Sequence, residues 1–339
     1  MIDVAVVGAG PAGLICAKEL EKLGEKTIVV EKNKKIGDSV ECAGLFNIDG
    51  LRRLDIDKGE YILNEVRGAK FIAANGDSAE MMGKASKAYV VDRGEFDRFL
   101  AKEYTGELVV GKEVKGARKK GENYELDFGK TVEAKSVVLA TGNDNNLREQ
   151  LGFHKPSRFI STSQYEIEGI STDKDMVELY VGSVAPGFFA WVIPVSDKVS
   201  RVGLGILDAK ESTHNYMEAF LKRLKSEGKF KEKNNVLLKS GGVIPVFEPG
   251  LEVAHDNAYL VGDAATDMLA GQRVGCRLLF VLTGRGFQQL LPAVHAVDDF
   301  TITRSLAGAT TRIINAEMEK LIPVYSGRSQ HSLSTVGSG

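Results

Sequence analysis

The chain has 339 residues and a formal net charge of −2, and this near balance argues against a nucleic-acid-binding protein, which usually carries a basic excess. No stretch reaches the roughly 18 consecutive apolar residues that a membrane-spanning helix needs. The cysteines, Cys16, Cys42 and Cys276, have neither disulfide nor metal-site spacing, which predicts a reducing, cytoplasmic setting and no bound metal.

The N-terminal residues predict a strand, a glycine-rich turn, a helix and a second strand. Residues 2–7 (IDVAVV) form the first strand, GAGPAG forms the turn, and KTIVVEK forms the second strand. Within the turn, we expect Gly8 to turn the chain, Gly10 to let a pyrophosphate approach the backbone, and Gly13 to pack the helix against the strand. The N-terminus of the helix would offer N–H groups to the phosphates.

Glu31 follows Gly13 by 18 residues and ends the second strand, where a carboxylate can accept hydrogen bonds from a ribose. Strand, turn, helix and acid together predict nucleotide binding rather than an incidental glycine-rich turn. The glycine pattern alone does not decide between FAD and NAD. Two later strand ends favour FAD. The strand VVLATG places Gly142 beside the first strand, and AYLVGDAA places Asp263 where it can hydrogen-bond ribityl or ribose hydroxyls.

The β-rich stretches interrupt these α/β pieces. This predicts an α/β fold in which a Rossmann-like FAD-binding domain is interleaved with an α+β substrate domain that contains an antiparallel sheet. The expected bounds are 1–60, 85–150 and 251–290 for the FAD-binding domain, 61–84 and 151–250 for the substrate domain, 291–325 for a C-terminal helical segment and 326–339 for a disordered tail.

The segment VDRGEFDRFLA predicts a helix whose first turns hold Arg93 and Asp97. The residues alone leave two interpretations open. The pair either lies near a bound nucleotide or belongs to a solvated helix start that is capped by Asp92.

Residues 187–206 (GFFAWVIPVSDKVSRVGLGI) contain the chain's only tryptophan. In a strand, alternate side chains share a face. One face is expected to carry Phe189, Trp191 and Ile193. The other is expected to carry Phe188, Ala190 and Val192. The trailing Gly203 and Gly205 would leave room on a neighbouring strand, so the run is either a buried strand of a sheet or the wall of a pocket for a large apolar ligand.

The order of these motifs resembles the hydroxylase-type FAD-dependent flavoproteins. Three further stretches, VECAGL (40–45), FFAWVIP with its trailing GLG, and GGVIPV (241–246), resemble the geranylgeranyl reductase family, and its archaeal members above all. The resemblance covers roughly residues 1–265. It implies FAD as the cofactor and, as the reaction, the saturation of C=C bonds in geranylgeranyl chains of archaeal-type membrane lipids.

The resemblance also implies site residues. Cys42 is expected beside the flavin, either as a proton donor or as a small buried residue. The residues expected to bind the cofactor are Gly8, Gly10, Ala12, Gly13, Glu31, Cys42, Ala43, Gly44, Arg93, Gly142, Asp263 and Gly275. The residues expected to line the substrate pocket are Phe189, Trp191, Ile193, Pro194, Gly203 and Gly205.

The chain departs from the family pattern after GDAA. Gly271 and Gly275 are present there, but the usual proline and Gly-Gly cluster are absent. This departure keeps open an inactive protein with the FAD fold. A monooxygenase or halogenase is a further alternative, although the lack of lysine in residues 40–46 and 182–197 weighs against a halogenase.

The implied partners are an isoprenoid lipid and a reduced electron carrier, which the sequence leaves open among NAD(P)H, ferredoxin and reduced deazaflavin. The basic stretches ARKKG and LKRLK are either solvated faces or weak contacts with anionic lipid headgroups. The expected location is therefore the cytoplasm or the periphery of a membrane.

Overall fold

The chain divides into two compact units, Met1–Glu248 and Pro249–Gly339. The computed structural model describes residues 1–38, 41–56, 58–153, 156–207, 211–246, 259–262, 277–282, 286–297 and 300–304, together with Met268 and Arg312. Asp263, Gly275 and the tail at 326–339 lie outside these described residues.

The first unit alternates between strands and helices. In chain order its elements are β1 (Ile2–Val7), α1 (Pro11–Lys22), β2 (Thr27–Glu31), β3 (Leu45–Asn47), α2 (Ile48–Arg53), β4 (Ile62–Val66), β5 (Gly68–Ile72), β6 (Ser78–Met82), β7 (Ala88–Val91), α3 (Arg93–Glu103), β8 (Glu107–Val110), β9 (Gly116–Lys120), β10 (Asn123–Asp127), β11 (Thr131–Leu139), α4 (Asn146–Gln150), β12 (Phe159–Ile170), β13 (Met176–Val181), β14 (Phe189–Pro194), β15 (Val199–Leu207), α5 (Thr213–Ser226) and β16 (Phe230–Pro245).

A six-stranded sheet carries the N-terminal motif, in the order β8-β2-β1-β11-β10-β9. The first four strands of this order run parallel, and the hairpin β9–β10 extends the sheet with antiparallel pairing. Helix α1 connects β1 to β2 and begins at Pro11, whose ring presets a helical φ and whose missing N–H is not needed in a first turn. Because parallel strands end at the same edge, the turns after β1, β2 and β11 meet there.

A seven-stranded sheet follows the order β16-β12-β15-β14-β13-β5-β6. Its pairs are antiparallel except β5 with β13. Helix α5 covers one face, since Met217, Phe220 and Leu224 recur at helical spacing and are buried against that face. Ala190 and Val192 of β14 belong to this same core.

The opposite face of the seven-stranded sheet packs on the small sheet β3-β7-β4. Val66 and Val90 of the small sheet are buried there with Trp191 and Ile193 of β14. Strands β5 and β6 lie between β4 and β7 in the chain, and β8 to β11 then return to the parallel sheet. The predicted interleaving of an α/β and an antiparallel region is therefore confirmed, while the expected domain bounds stay a prediction.

The second unit contains a parallel sheet of β17 (Tyr259–Gly262), β18 (Arg277–Val281) and β19 (Thr301–Thr303) and the helix α6 (Gly286–Ala296). Met268, Phe280, Ala293 and Val297 form its buried cluster. Across the described part of both units, none of the helices combines the length and the apolar character that crossing a membrane requires.

Candidate functional site

The turn after β1 gives its glycines two different roles. Gly8 has a φ of +105°, which a side chain would strain, and a Cβ there would overlap the Ala140 carbonyl oxygen. A Cβ on Gly13 would overlap the Gly8 carbonyl oxygen, so helix and turn touch backbone to backbone. Gly10 differs, because an added Cβ would meet no described atom within 4 Å. The space at Gly10 is thus available to a ligand.

Glu31 ends β2 and is held by the backbone around it. The N–H of Ala9 donates to Oε2 at 2.8 Å, and the N–H of Asn33 donates to Oε1 at 2.8 Å. A carboxylate can accept about four hydrogen bonds. Both oxygens therefore keep a lone pair for a ribose hydroxyl, in an orientation that the two amides already set.

These residues border a cleft of about 240 Å³ at the edge where the parallel strands end. The structure places Gly8, Gly10, Glu31 and Gly142 in its lining. Gly142 follows β11 with a φ of +61°, and a Cβ on it would also meet no described atom within 4 Å. Of the other predicted residues in this region, Gly13 is buried beneath the turn, and Ala12 is exposed on α1.

Sequence reasoning missed several residues of the cleft. Asn33 lies two residues after Glu31, so its position in the same turn could have been expected. Lys112 lines the cleft because β8 runs parallel beside β2. Its N–H donates to the Glu31 carbonyl oxygen at 3.0 Å. Lys32 and Asp144 form an ion pair of 3.1 Å between the turns after β2 and β11. Only the sheet order brings these last turns together.

Helix α3 holds the half-buried Arg93 against the buried Asp97. Asp92 caps the helix by accepting from the Glu95 N–H at 2.9 Å. Arg93 Nη2 donates to Asp97 Oδ1 at 3.0 Å, and the two side chains are only 15% and 7% exposed, so the expected cap by Asp92 is present but the pair is not solvated. Burial raises the pKa of Asp97 above its ordinary value, although Arg93 opposes the shift.

Arg93 also faces the segment that contains Cys42. Burial would lower the pKa of the Arg93 guanidinium, but the Asp97 carboxylate and the Cys42 thiol outweigh it and raise that pKa. The guanidinium lies 5.5 Å from the centre of the Phe46 ring. Its Nε is buried and has no hydrogen-bond partner among the residues described. Arg93 thus connects α3 with the Cys42 segment.

The Cys42–Gly44 segment is tied to the seven-stranded sheet. Gln164 Nε2 donates to the Cys42 carbonyl oxygen at 3.3 Å, and Arg201 Nη1 donates to the Ala43 carbonyl oxygen at 3.0 Å. Gly44 has a φ of +68°, and a Cβ there would overlap Arg201 Nη1. The half-buried Cys42 Sγ accepts from the Gly44 N–H at 3.4 Å.

The aromatic strand β14 packs on this segment. Trp191 and Ile193 are buried in one apolar cluster with Ala43 and Leu45, whereas Ala190 and Val192 face α5, as the predicted alternation requires. Pro194 is also buried, and its carbonyl oxygen accepts from Asn64 Nδ2 at 2.9 Å.

The prediction that Phe188 points away from Phe189 is wrong. The two rings stack with centroids 4.1 Å apart, and both pack on the Trp191 cluster. The physical reason is that β14 begins only at Phe189, so strand alternation does not govern the residue before it.

The room left by the trailing glycines is filled by the protein itself. A Cβ on Gly203 would overlap the Trp191 indole, and a Cβ on Gly205 would crowd the Phe188 ring. Gly203 lies directly opposite Trp191 in the register of β14 with β15. The two glycines therefore make room for the aromatic rings of Trp191 and Phe188.

Comparisons with known proteins place this site in a family. Residues 159–244 match the model described as geranylgeranyl reductase catalytic domain, and residues 3–60 match the FAD binding domain. The digeranylgeranylglycerophospholipid reductase of Methanococcus vannielii is 35% identical over 277 residues, which cover 78% of this chain and 70% of the relative. This chain belongs to the geranylgeranyl reductase family. The resemblance and the α/β flavoprotein fold expected from the motifs are therefore confirmed, and the chain is an FAD-dependent oxidoreductase.

Solved structures agree with membership of the geranylgeranyl reductase family. A geranylgeranyl bacteriochlorophyll reductase-like protein of Thermoplasma acidophilum is 25% identical, with a TM-score of 0.67 over 74% of this chain and 68% of that one. The flavin-dependent brominase Bmp2 matches with a TM-score of 0.59 at 17% identity, over 71% of this chain and 67% of its own, and this likeness concerns the fold alone.

A third family model, described as HAD-hydrolase-like, matches residues 236–309. This range includes the stretch after Ala265 where the sequence departs from the reductase pattern. The roles of individual site residues stay predictions.

Proposed function

We propose that this member of the geranylgeranyl reductase family uses FAD to saturate C=C bonds in the geranylgeranyl chains of archaeal-type membrane lipids. The observation that carries the proposal is the packing of the Cys42–Gly44 segment on the aromatic strand. Ala43 and Leu45 share one apolar cluster with Trp191 and Ile193. The relatives whose names specify a digeranylgeranylglycerophospholipid support the substrate class.

The residues of the nucleotide cleft fit the adenosine and pyrophosphate part of FAD. Gly10 and Gly142 leave space where a Cβ would otherwise stand, and the N-terminus of α1 follows Gly10 with free N–H groups. Glu31 holds oriented oxygens for a ribose hydroxyl. When bound, FAD supplies the hydride chemistry that saturation of a C=C bond requires.

The partly exposed end of this apolar face, at the start of β14, would hold the prenyl chain and exclude water. Trp191 and Ile193 are 7% and 3% exposed and form the rigid floor of this face. Phe188 and Phe189 are only half-buried, so we place the chain against these two stacked rings. Cys42 would hold a proton at Sγ for the second carbon of the double bond.

The test is an anaerobic titration of the purified, flavin-loaded chain. After photoreduction, we expect a digeranylgeranyl glycerophospholipid to reoxidise the flavin and mass spectrometry to show the saturated lipid. Cys42→Ser should lower the rate at least about tenfold if Cys42 supplies the proton, while Cys16→Ser, on α1, serves as the matched control.

Two outcomes of this titration overturn the proposal. A chain that retains no flavin absorbance would be an inactive protein with the FAD fold. A reduced flavin that the lipid never reoxidises, but that reoxidises once oxygen is admitted, would favour the monooxygenase or halogenase alternative. Repeating the titration with NAD(P)H, reduced ferredoxin or reduced deazaflavin in place of light identifies the electron donor.

We further propose that the chain meets its lipid at the periphery of a membrane. The edge strand β16 exposes Val236, Leu237 and Leu238, and the same strand carries exposed lysines such as Lys231 and Lys233. Apolar and basic side chains together favour an anionic interface. Co-sedimentation with phosphatidylglycerol vesicles should exceed that with phosphatidylcholine vesicles and should fall in Leu237→Asp, whereas equal binding to both vesicles contradicts the charge contribution.

A further inference from the structure

Gln164 lies between the aromatic strand and the Cys42 segment and uses both ends of its amide. Its Oε1 accepts from Trp191 Nε1 at 3.0 Å, and its Nε2 donates to the Cys42 carbonyl oxygen at 3.3 Å. The side chain is half-buried. One amide thus joins the chain's only indole to the backbone of the residue that we propose as the proton donor.

The register of three strands explains how Trp191 reaches Gln164. Gly203 lies directly opposite Trp191 on one side and directly opposite Gln164 on the other. Neighbouring strands are about 4.8 Å apart, so the indole must cross roughly 10 Å to reach a side chain on the second strand. It can do so because Gly203 has no side chain in its path.

A second side chain holds the neighbouring peptide. Arg201 Nη1 donates to the Ala43 carbonyl oxygen at 3.0 Å and to the Val91 carbonyl oxygen at 2.9 Å, while its Nε donates to Glu166 Oε1 at 2.8 Å. Arg201 is 7% exposed. Two successive carbonyl groups, those of Cys42 and Ala43, therefore accept from side chains of the same sheet face.

We propose that Gln164 is a positioning residue that fixes Cys42 relative to Trp191 and so couples the substrate wall to the proton-donating segment. The catalytic part of this inference rests on the proposed function, but the geometric part does not. A ligand that moves the indole would change the hydrogen bond that Gln164 makes, and with it the place of the Cys42 peptide. Gln164 itself takes no part in the chemical reaction.

The experiment measures the alkylation rate of Cys42 by iodoacetamide in the full chain with Cys16→Ser and Cys276→Ser. Gln164→Leu removes both hydrogen bonds, and we expect the rate to rise about fivefold, since the segment opens more often. Trp191→Phe removes only the indole donor, so a smaller rise is expected. Because Trp191 is the only tryptophan, its emission in Gln164→Leu should also change.

Gln150→Leu is the matched control. Gln150 also bridges two backbone groups, since its Oε1 accepts from the Ala117 N–H at 3.1 Å and its Nε2 donates to the Lys115 carbonyl oxygen at 3.1 Å. These contacts involve neither Trp191 nor Cys42. We expect this variant to keep the wild-type alkylation rate of Cys42 and the wild-type lipid turnover.

In lipid turnover, Gln164→Leu should lower kcat about tenfold and change KM much less, as a misplaced group does. The proposal is overturned if Cys42 is alkylated at the same rate in Gln164→Leu, Trp191→Phe and Gln150→Leu. If Gln164→Leu does not fold, the alkylation rates of Cys42 in Trp191→Phe and in Gln150→Leu are compared instead, and this comparison tests the proposal. If alkylation changes as expected but the wild-type chain reduces no lipid, the proposed function fails and the positioning role stands.

Discussion

Two regions of the first unit are built on paired glycines, and they use the space that glycine leaves in opposite ways. At the nucleotide cleft, a Cβ on Gly10 would meet no described atom within 4 Å, so the backbone is open to a ligand. On the antiparallel sheet, a Cβ on Gly203 would overlap the Trp191 indole. A Gly-x-Gly pattern therefore predicts that something approaches the backbone closely, without telling whether a ligand or the protein's own ring does so.

The largest effect on stability is expected at Gly13, where helix α1 and the glycine-rich turn are in backbone contact. Gly13→Val should lower the free energy of unfolding by about 3 kcal/mol, because the new side chain overlaps the Gly8 carbonyl oxygen and neither backbone can yield cheaply. Urea unfolding measures the loss. Ala12→Val, at the neighbouring exposed position of α1, should cost less than about 1 kcal/mol. Equal losses in both variants would contradict this account.

At Gly203 the clash is with a side chain, so a smaller loss is expected. Gly203→Ala should cost about 2 kcal/mol and shift the Trp191 emission. In a double-mutant cycle, Gly203→Ala should cost much less when Trp191→Leu is already present, because the two residues interact directly. Additive losses would mean that the glycine does not serve the indole.

Gly10→Ala tests the open side of the comparison with Gly203, because its effect should appear in ligand binding and not in stability. We expect the free energy of unfolding to change by less than about 1 kcal/mol, while the Kd for FAD rises at least tenfold, or about 1.4 kcal/mol. Isothermal titration with FAD measures this. Gly116→Ala, whose Cβ would lie at an ordinary 3.8 Å from Gln150 Oε1, is the control. Unchanged FAD affinity in Gly10→Ala would place the pyrophosphate elsewhere.

The smallest effect concerns Asp144 at the rim of the cleft. The Asn146 N–H and Lys32 hold its pKa below the ordinary value of 3.8. Because folding lowers this pKa, the ionised Asp144 stabilises the fold at pH values above 3.8. This stabilisation is lost as the pH falls through the lowered pKa.

The Asp144 side chain is 37% exposed, so solvent screening keeps the loss in Asp144→Asn to about 0.5 kcal/mol at neutral pH. Urea unfolding of both proteins across the acidic range should show the difference shrinking towards zero. A difference that persists in acid would mean that the carboxylate charge is not its cause.

The nucleotide cleft was largely predictable because its information is local. Gly8, Gly10 and Gly13 lie in one turn, and Glu31 ends the strand that follows their helix, so spacing alone places them together. Asn33 could have been added from its place two residues after Glu31. Lys112 could not, because its position depends on β8 pairing with β2 across a long insertion.

The aromatic strand was predictable in its alternation but not in its contacts. Ala190 and Val192 face one core and Trp191 and Ile193 the other, as period two requires. Phe188 departs from this pattern because it precedes the strand.

The sequence by itself determined the FAD-type turn, the face that each residue of β14 presents and the family to which the chain belongs. Only the tertiary structure decided that Trp191 lies over Gly203, that Gln164 and Arg201 hold the Cys42–Gly44 segment, and that Arg93 is half-buried beside the buried Asp97. The physical reason is that these contacts join different segments of the chain. Strand register sets Trp191 over Gly203, whereas Gln164 and Arg201 reach the Cys42–Gly44 segment across more than a hundred residues, and no local period or spacing encodes which residues meet.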